Sequence, residues 1–268
     1  MINFAETFDM SGFLFDDVVF GPVRSRRLGL SLGINLLPLH LKHCTFNCIY
    51  CECGWTKKTG IPDPVFPSRD EVRAFLEQRL IALGAEDYIP DALTYAGNGE
   101  PTMHPEFAGI VDDTIVLRDK YVPGSKVTVL SNASMLDDEE IFTALQKLDN
   151  NILKLDAGNE KMFNLINNPV VPVGFDNLIG NLKKFNGNLI IQSMFLRGSY
   201  KGELIDNTSA QEVDQWLVHL QEIKPKKVMI YPIARATPVH DLEKIPLSEL
   251  EKIAEKVKNC GLKVNVYQ

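Results

Sequence analysis

"SLGINLLPLHLKHCTFNCIYCECGW", residues 31–55, runs from a short apolar stretch straight into four of the chain's five cysteines. The stretch at 31–37 has the length and composition of a buried strand, which puts the cysteines on the loop at its carboxyl end. Similar runs recur at 92–97, 126–132, 152–157, 188–195, 227–233 and 262–267, and segments of helical periodicity separate most of them. In "EEIFTALQKL", Ile141, Phe142, Leu145 and Leu148 share one face; in "SELEKIAEKVKNCG", Leu250, Ile253, Ala254 and Val257 do likewise. Ser68 with Glu71, Ser209 with Glu212 and Ser248 with Glu251 match the capping box, and each predicts a helix start. Gly261 stands where a left-handed helix end is wanted, ahead of a last strand.

Repeated strand–helix–strand units make an α/β fold, either a doubly wound sheet or a closed or partial barrel, and six or seven of them favour the barrel form. The expected fold is a partial (β/α)6 barrel in one domain over 1–268. Residues 1–30 form a short N-terminal extension, with "DDVVFGPV" as an added strand, and 31–268 form the barrel core. Ligands in such folds gather at the carboxyl ends of the strands.

With 268 residues the chain is long enough for a sizeable core. It has no run of eighteen apolar residues, and "MINFAETFDM" lacks the basic and apolar regions of a signal peptide, so a cytoplasmic protein without a membrane partner is expected. A net charge of −7 argues against a broad nucleic-acid footprint. Local basic groups remain: Arg24, Arg26 and Arg27 in "RSRR", and Lys57 with Lys58, flank the cysteines and suit a phosphate-bearing substrate, or are simply solvated surface charge.

Cys44, Cys48 and Cys51 form C-x3-C-x2-C. Three thiolates so spaced fit three corners of a [4Fe-4S] cube and leave one iron open to a small molecule. Cys53 offers a competing arrangement, a closed four-thiolate zinc or iron–sulfur site that only supports the fold, although zinc knuckles usually carry two C-x2-C pairs. Cys260 reads as a small buried apolar residue at the end of the last helix.

"CTFNCIYC" (44–51) resembles the signature of the radical S-adenosylmethionine (SAM) superfamily, whose fold is the partial barrel expected above. The resemblance implies that the three cysteines hold a [4Fe-4S] cluster, that SAM chelates the fourth iron, and that an electron from the reduced cluster cleaves SAM to a 5′-deoxyadenosyl radical. That radical abstracts hydrogen from a substrate. The electron donor implied is flavodoxin or ferredoxin. "YAGNGEPTMHPEF" (95–107) resembles the superfamily's GGEP segment, which binds the methionine amino group; Gly97, Asn98, Gly99 and Glu100 hold those positions, with Asn98 departing from the double glycine. Glycines permit close backbone approach to an ammonium and a carboxylate compensates its charge. By the same resemblance Ser131, Asn132, Asp156 and Gln192, at or within later strands, contact SAM, and Tyr50 and Ile233 flank its adenine; taken singly, the Asn and Asp positions read equally as turn or cap residues.

The resemblance extends over most of the chain. "FGPVRSRRLGLSLGINLLP", "KLDAG" and "YPIARATPVHDLEKI" are similar to a subgroup related to wyosine tRNA-modifying enzymes, which implies oxidoreductase-type chemistry on a tRNA or nucleotide-like substrate. The chain has too few cysteines for the second cysteine-ligated cluster of the archaeal tricycle-forming enzymes. A glycyl-radical-enzyme activase is the competing activity within the superfamily. Substrate contacts are expected on the loops after the fifth and sixth predicted strands, at Arg197, Tyr200, Lys201 and Arg235, where ion pairing to nearby acids is the plain alternative. His104 reads as a loop hydrogen-bonder before a proton carrier, and no acid or base is assigned.

Overall fold

The computed structural model describes residues 12–56 and 63–268; Lys57, Lys58 and the extreme N-terminal stretch lie outside the described residues. The apolar run that precedes the cysteines is a strand, β2 (Gly29–Ile34), joined by a tight turn to β1 (Val19–Ser25). Then come α1 (Arg69–Ala85), β3 (Ala92–Tyr95), α2 (Phe107–Tyr121), β4 (Lys126–Ser131), α3 (Glu139–Gln146) and β5 (Asn150–Lys154). The second half adds α4 (Glu160–Asn167), α5 (Phe175–Lys183), β6 (Ile190–Tyr200), β7 (Glu203–Asp206), α6 (Ala210–Ile223), β8 (Lys227–Pro232), β9 (Leu242–Lys244), α7 (Leu247–Asn259) and β10 (Val264–Val266).

The main sheet runs β1-β2-β3-β4-β5-β6-β8-β10 and does not close on itself. From β2 to β10 every neighbouring pair is parallel, and β1 joins the β2 edge antiparallel. This is the expected α/β architecture, with the added strand inside the predicted extension. Because side chains alternate across a strand, each strand divides its residues between two faces. Leu32, Leu93, Val127, Val129, Leu153, Ile191 and Val228 belong to the main core with buried residues of the helices, such as Leu76, Ile110, Leu145 and Leu220. Ile152, Ile190 and Met229 face the other way and form a separate small cluster with Leu28, Leu130 and Tyr267. By the same alternation Lys154 and Gln192 lie on that inner face.

Three local expectations need correction. The segment after the fifth predicted strand was expected as a loop, yet β6 continues to Tyr200 and folds back into β7, with Tyr200 opposite Glu203. Lys201 (φ +52°) and Gly202 (φ +81°) supply the two left-handed residues of a tight hairpin turn. In addition, α7 starts at Leu247 behind Pro246, so Ser248 lies inside the helix and caps nothing. Ser209 does cap α6, but Glu212 turns its carboxylate to Gly158 N and Asn159 Nδ2 instead of closing a box.

Candidate functional site

Cys44, Cys48, Cys51 and Cys53 follow β2 as free thiols. Their loop is fixed from several sides by backbone bonds: Asn47 N to Asn168 O at 3.0 Å, Ile49 N to Ile166 O at 3.0 Å, Val170 N to Thr45 O at 2.8 Å, and Phe13 N to Glu52 O at 2.8 Å. The segment after β3 is laced to the residue before Cys44: His43 N donates to Asn98 O (2.8 Å) and Glu100 N to His43 O (3.1 Å). Gly99, at φ +142°, sits so close that a β-carbon would run into the His43 carbonyl, so the second glycine of the motif is a packing requirement. Hence the two motifs, 44–51 and 97–100, are one structural unit at the carboxyl ends of β2 and β3.

Glu100 is 1 % exposed, and its carboxylate ties this unit to β4. It accepts from Thr102 Oγ1 (2.6 Å), Thr102 N (3.2 Å), Ser131 Oγ (2.8 Å) and Asn132 N (2.6 Å). Burial pushes its pKa above the usual carboxylate range even against these four donors. Asn132 in turn donates to Thr45 Oγ1 at 2.9 Å and to Cys44 Sγ at 3.5 Å.

Asp156, after β5, is a second buried hub. It accepts from the Tyr50 hydroxyl, from Asn167 Nδ2 at 2.8 Å and from Met194 N at 2.8 Å, with Lys154 Nζ at 3.5 Å. Lys154 also donates to the Tyr50 oxygen at 2.6 Å. Burial works against the lysine's charge, but Asp156 and its neighbours outweigh it and hold the ammonium above its usual range. Burial and the Asp156 charge keep Tyr50 protonated far above the ordinary phenol range.

The sulfurs have donors aimed at them: Phe46 N to Cys44 at 3.4 Å and Asn167 Nδ2 to Cys48 at 3.5 Å, beside the Asn132 contact. Burial pushes the Cys44 thiol up to about 12 and raises Cys48 as well. Cys51 is drawn down, chiefly by its contact with Cys53, with buried Lys42 adding its charge. Cys53 lies against the Gly97 carbonyl at 3.5 Å. Among the described residues no three His, Cys, Asp or Glu side chains converge on one metal ion. Zinc draws its four sulfurs around a single atom, whereas a cube gives each thiolate its own iron.

The remaining predicted residues separate into two groups. Arg235 lines a cavity of about 760 Å³ together with Cys51, Glu52 and the β1–β2 turn, and pairs with Glu52. Gln192 on the inner face accepts from Arg27 Nη1 at 2.7 Å, and Ile233 is half-buried after β8. Arg197 is elsewhere engaged: it lies between the cross-strand partners Asp206 and Glu243 and bonds Glu249 of α7 at 2.5 Å, the plain ion pairing that the sequence left open. Tyr200 stacks with Trp55 at 6.1 Å and lies under Lys201 Nζ at 4.9 Å. Asn98 has its polar groups taken up within the chain, by Asn35, His43, Phe15 and Pro38, so its side chain braces the segment at Phe15. His104 accepts from Glu106 N within its loop, as expected, and also bonds Pro67 O, 37 positions away before α1.

Lys154, Asn167 and Lys42 were not singled out as site residues from the sequence, and Arg27 was read only as part of the basic run "RSRR". Lys154 had a visible signal, a lone charge inside the apolar alternation of "ILKLDA". Asn167 and Lys42 had none, because their importance comes from contacts 119 and 12 positions away, at Cys48 Sγ and Gly54 O.

Comparison with known proteins bears on this arrangement directly. The radical SAM superfamily model matches residues 39–206, which contain both motifs and both hubs. A GTPase Obg of Brachyspira hyodysenteriae is 31 % identical over 92 % of this chain, and a UPF0026 protein of Methanocaldococcus jannaschii is 30 % identical over 78 %. The chain's match spans only 35 % and 61 % of those two proteins. Among solved structures, a radical SAM methyltransferase from Sphaerobacter thermophilus superposes with a TM-score of 0.65 at 13 % identity, covering 88 % of this chain and 65 % of that one. TYW1 with a lysine-pyruvate adduct gives 0.59 at 14 % identity, covering 85 % and 73 %. The same fold, the matched span and the joined motifs lead to one assignment: the chain belongs to the radical SAM superfamily.

Proposed function

We propose that Cys44, Cys48 and Cys51 hold a [4Fe-4S] cluster, that SAM binds beside it, and that the protein is an enzyme abstracting hydrogen from a tRNA or nucleotide-like substrate. The observation that carries this reading is the union of the two motifs. The cysteine loop and the 97–100 segment are hydrogen-bonded to each other and to the ends of β4 and β5 through Glu100 and Asp156. The chain also supplies N–H donors to two of the three sulfurs, the kind of contact that sets the potential of a bound cluster. When bound, the cluster supplies the electron that cleaves SAM to methionine and a 5′-deoxyadenosyl radical.

The chain's own task is to bind and orient. Gly97 and Gly99 bring bare backbone to the mouth, where the SAM ammonium is read. Glu100, Ser131 and Asn132 hold that backbone against the cysteine loop, and Asp156 with Lys154 locks Tyr50 beside Cys51. Gln192 and Ile233 complete the SAM surface, and Tyr200, Lys201 and Arg235 lie on the substrate side. The described chain works as one domain, and flavodoxin or ferredoxin chemistry delivers the electron. Among the described residues no helix is long and apolar enough to cross a membrane.

Anaerobic reconstitution tests the reading. The chain takes up about four irons, Cys44→Ala loses them, Cys53→Ser keeps them, and SAM with a reductant yields 5′-deoxyadenosine. Loss of metal in Cys53→Ser together with intact SAM would establish the closed four-thiolate site instead.

A further inference from the structure

The cavity of about 760 Å³ beside the cysteine loop has a composition unlike the rest of the molecule. The chain as a whole carries 28 Lys and Arg against 35 Asp and Glu. The cavity reverses this balance: Arg24, Arg26, Arg27 and Arg235 line it, with Glu52 as the acid among its described residues. Arg27 is fixed by Gln192 and lies over the Tyr231 ring at 5.0 Å, and Arg235 is paired with Glu52. Arg24 and Arg26 are exposed, and among the described residues their guanidinium groups are the ones open to a ligand.

The same cavity is also lined by aromatic side chains. Phe13, Phe15 and Phe20 line it; Phe15 and Phe20 are stacked at 3.8 Å, and Phe13 stands edge-on to Phe15 at 5.0 Å and is 60 % exposed. An uncovered phenyl surface suits a planar ring, and arginine forks match the oxygens of a phosphate. Both features are carried by the segment of 12–27, which Asn98 and Glu52 tie to the site. Cys51 lines the cavity too, so a ligand held there lies next to the cluster loop.

We propose that this cavity is a nucleotide-binding site, in which Arg24 and Arg26 take the phosphate and the Phe13–Phe15–Phe20 surface takes the base. This deepens the functional reading above and rests on it for the role of the ligand as substrate, while the binding itself stands on the cavity alone. The phosphate belongs either to a free nucleotide or to one within an RNA strand.

The test uses reconstituted protein with saturating SAM and no reductant, so that the SAM site is filled and no turnover occurs. Binding is measured for AMP, GMP, CMP and UMP, for the matching nucleosides, and for a short single-stranded RNA. At least one nucleotide or the RNA binds tenfold or more tighter than its nucleoside counterpart, and Arg24→Gln with Arg26→Gln removes that difference. Affinity falls as salt rises, steeply for RNA and weakly for a mononucleotide, which identifies the source of the phosphate. Equal binding of nucleotides and nucleosides with no RNA binding, or a phosphate preference untouched by both substitutions, overturns the proposal. Absence of 5′-deoxyadenosine on adding reductant defeats the radical reading separately, since nucleotide binding is read without it.

Discussion

Asn98 departs from the double glycine of the superfamily's pattern, and its amide connects the 97–100 segment to the start of the described chain. Its Oδ1 accepts from Phe15 N at 2.8 Å, and its Nδ2 donates to Phe15 O and Pro38 O, each at 3.0 Å. Asn98→Gly restores the family pattern yet strips three buried partners, at a cost of about 1–3 kcal/mol for groups left unsatisfied. We expect a lower thermal midpoint and early proteolytic cleavage near Phe13 and Phe15, with iron content unchanged; an unaltered midpoint would show that the brace is dispensable. The cysteines were legible in the sequence because a cluster loop needs its ligands close together in the chain. Glu100 was legible for its motif but not for its partners, since Ser131 and Asn132 lie 31 and 32 positions away. Arg197 shows the opposite limit: its charge was visible, while the Glu249 that neutralises it is 52 positions distant.

At the scale of elements, the capping pattern succeeded where nothing competed with it. Ser68 accepts from Glu71 N, and Glu71 reaches back to Ser68 N at 2.8 Å, a complete box at the start of α1. Ser248 has the same spacing to Glu251, but Pro246, with φ −62° already suited to a helix entry, starts α7 before it. Ser68→Ala therefore costs about 1 kcal/mol, a drop in thermal midpoint of roughly 2–4 °C for a chain of this size. Ser248→Ala stays within about 0.5 kcal/mol. Calorimetry of the two variants side by side decides the matter, and equal drops would mean that Ser248 caps after all. Strand positions were read well for a related reason: runs such as "KVTVLSN" are largely buried on both faces in a parallel sheet and are rich in β-branched and aliphatic residues. The β6–β7 ribbon escaped because its turn is Lys-Gly, and lysine in a left-handed position is not a usual hairpin signal.

On the scale of the whole molecule, the sheet stays open and its two edges differ. One edge is the β1–β2 hairpin; towards the other lie β6, β8 and β10. Arg27, in the hairpin turn, reaches from the first edge to Gln192 on β6 and the Tyr231 ring on β8, a contact 165 positions apart in sequence for the glutamine. No periodicity announces such a link, because it depends on how far the sheet curls. A charge-assisted hydrogen bond of about 1.5–3 kcal/mol and a cation–π contact of about 0.5–2 kcal/mol then join strands that have no shared backbone ladder. Arg27→Ala should release the hairpin locally: hydrogen exchange speeds up for amides of β1 and the turn, while β3, β4 and β5, each paired on both sides, keep their protection. Arg27→Lys restores the charge but not the planar fork, so it rescues the protection only in part. Uniform loss of protection across all strands would mean that Arg27 supports the core as a whole and that the hairpin is not a separately held edge of the sheet.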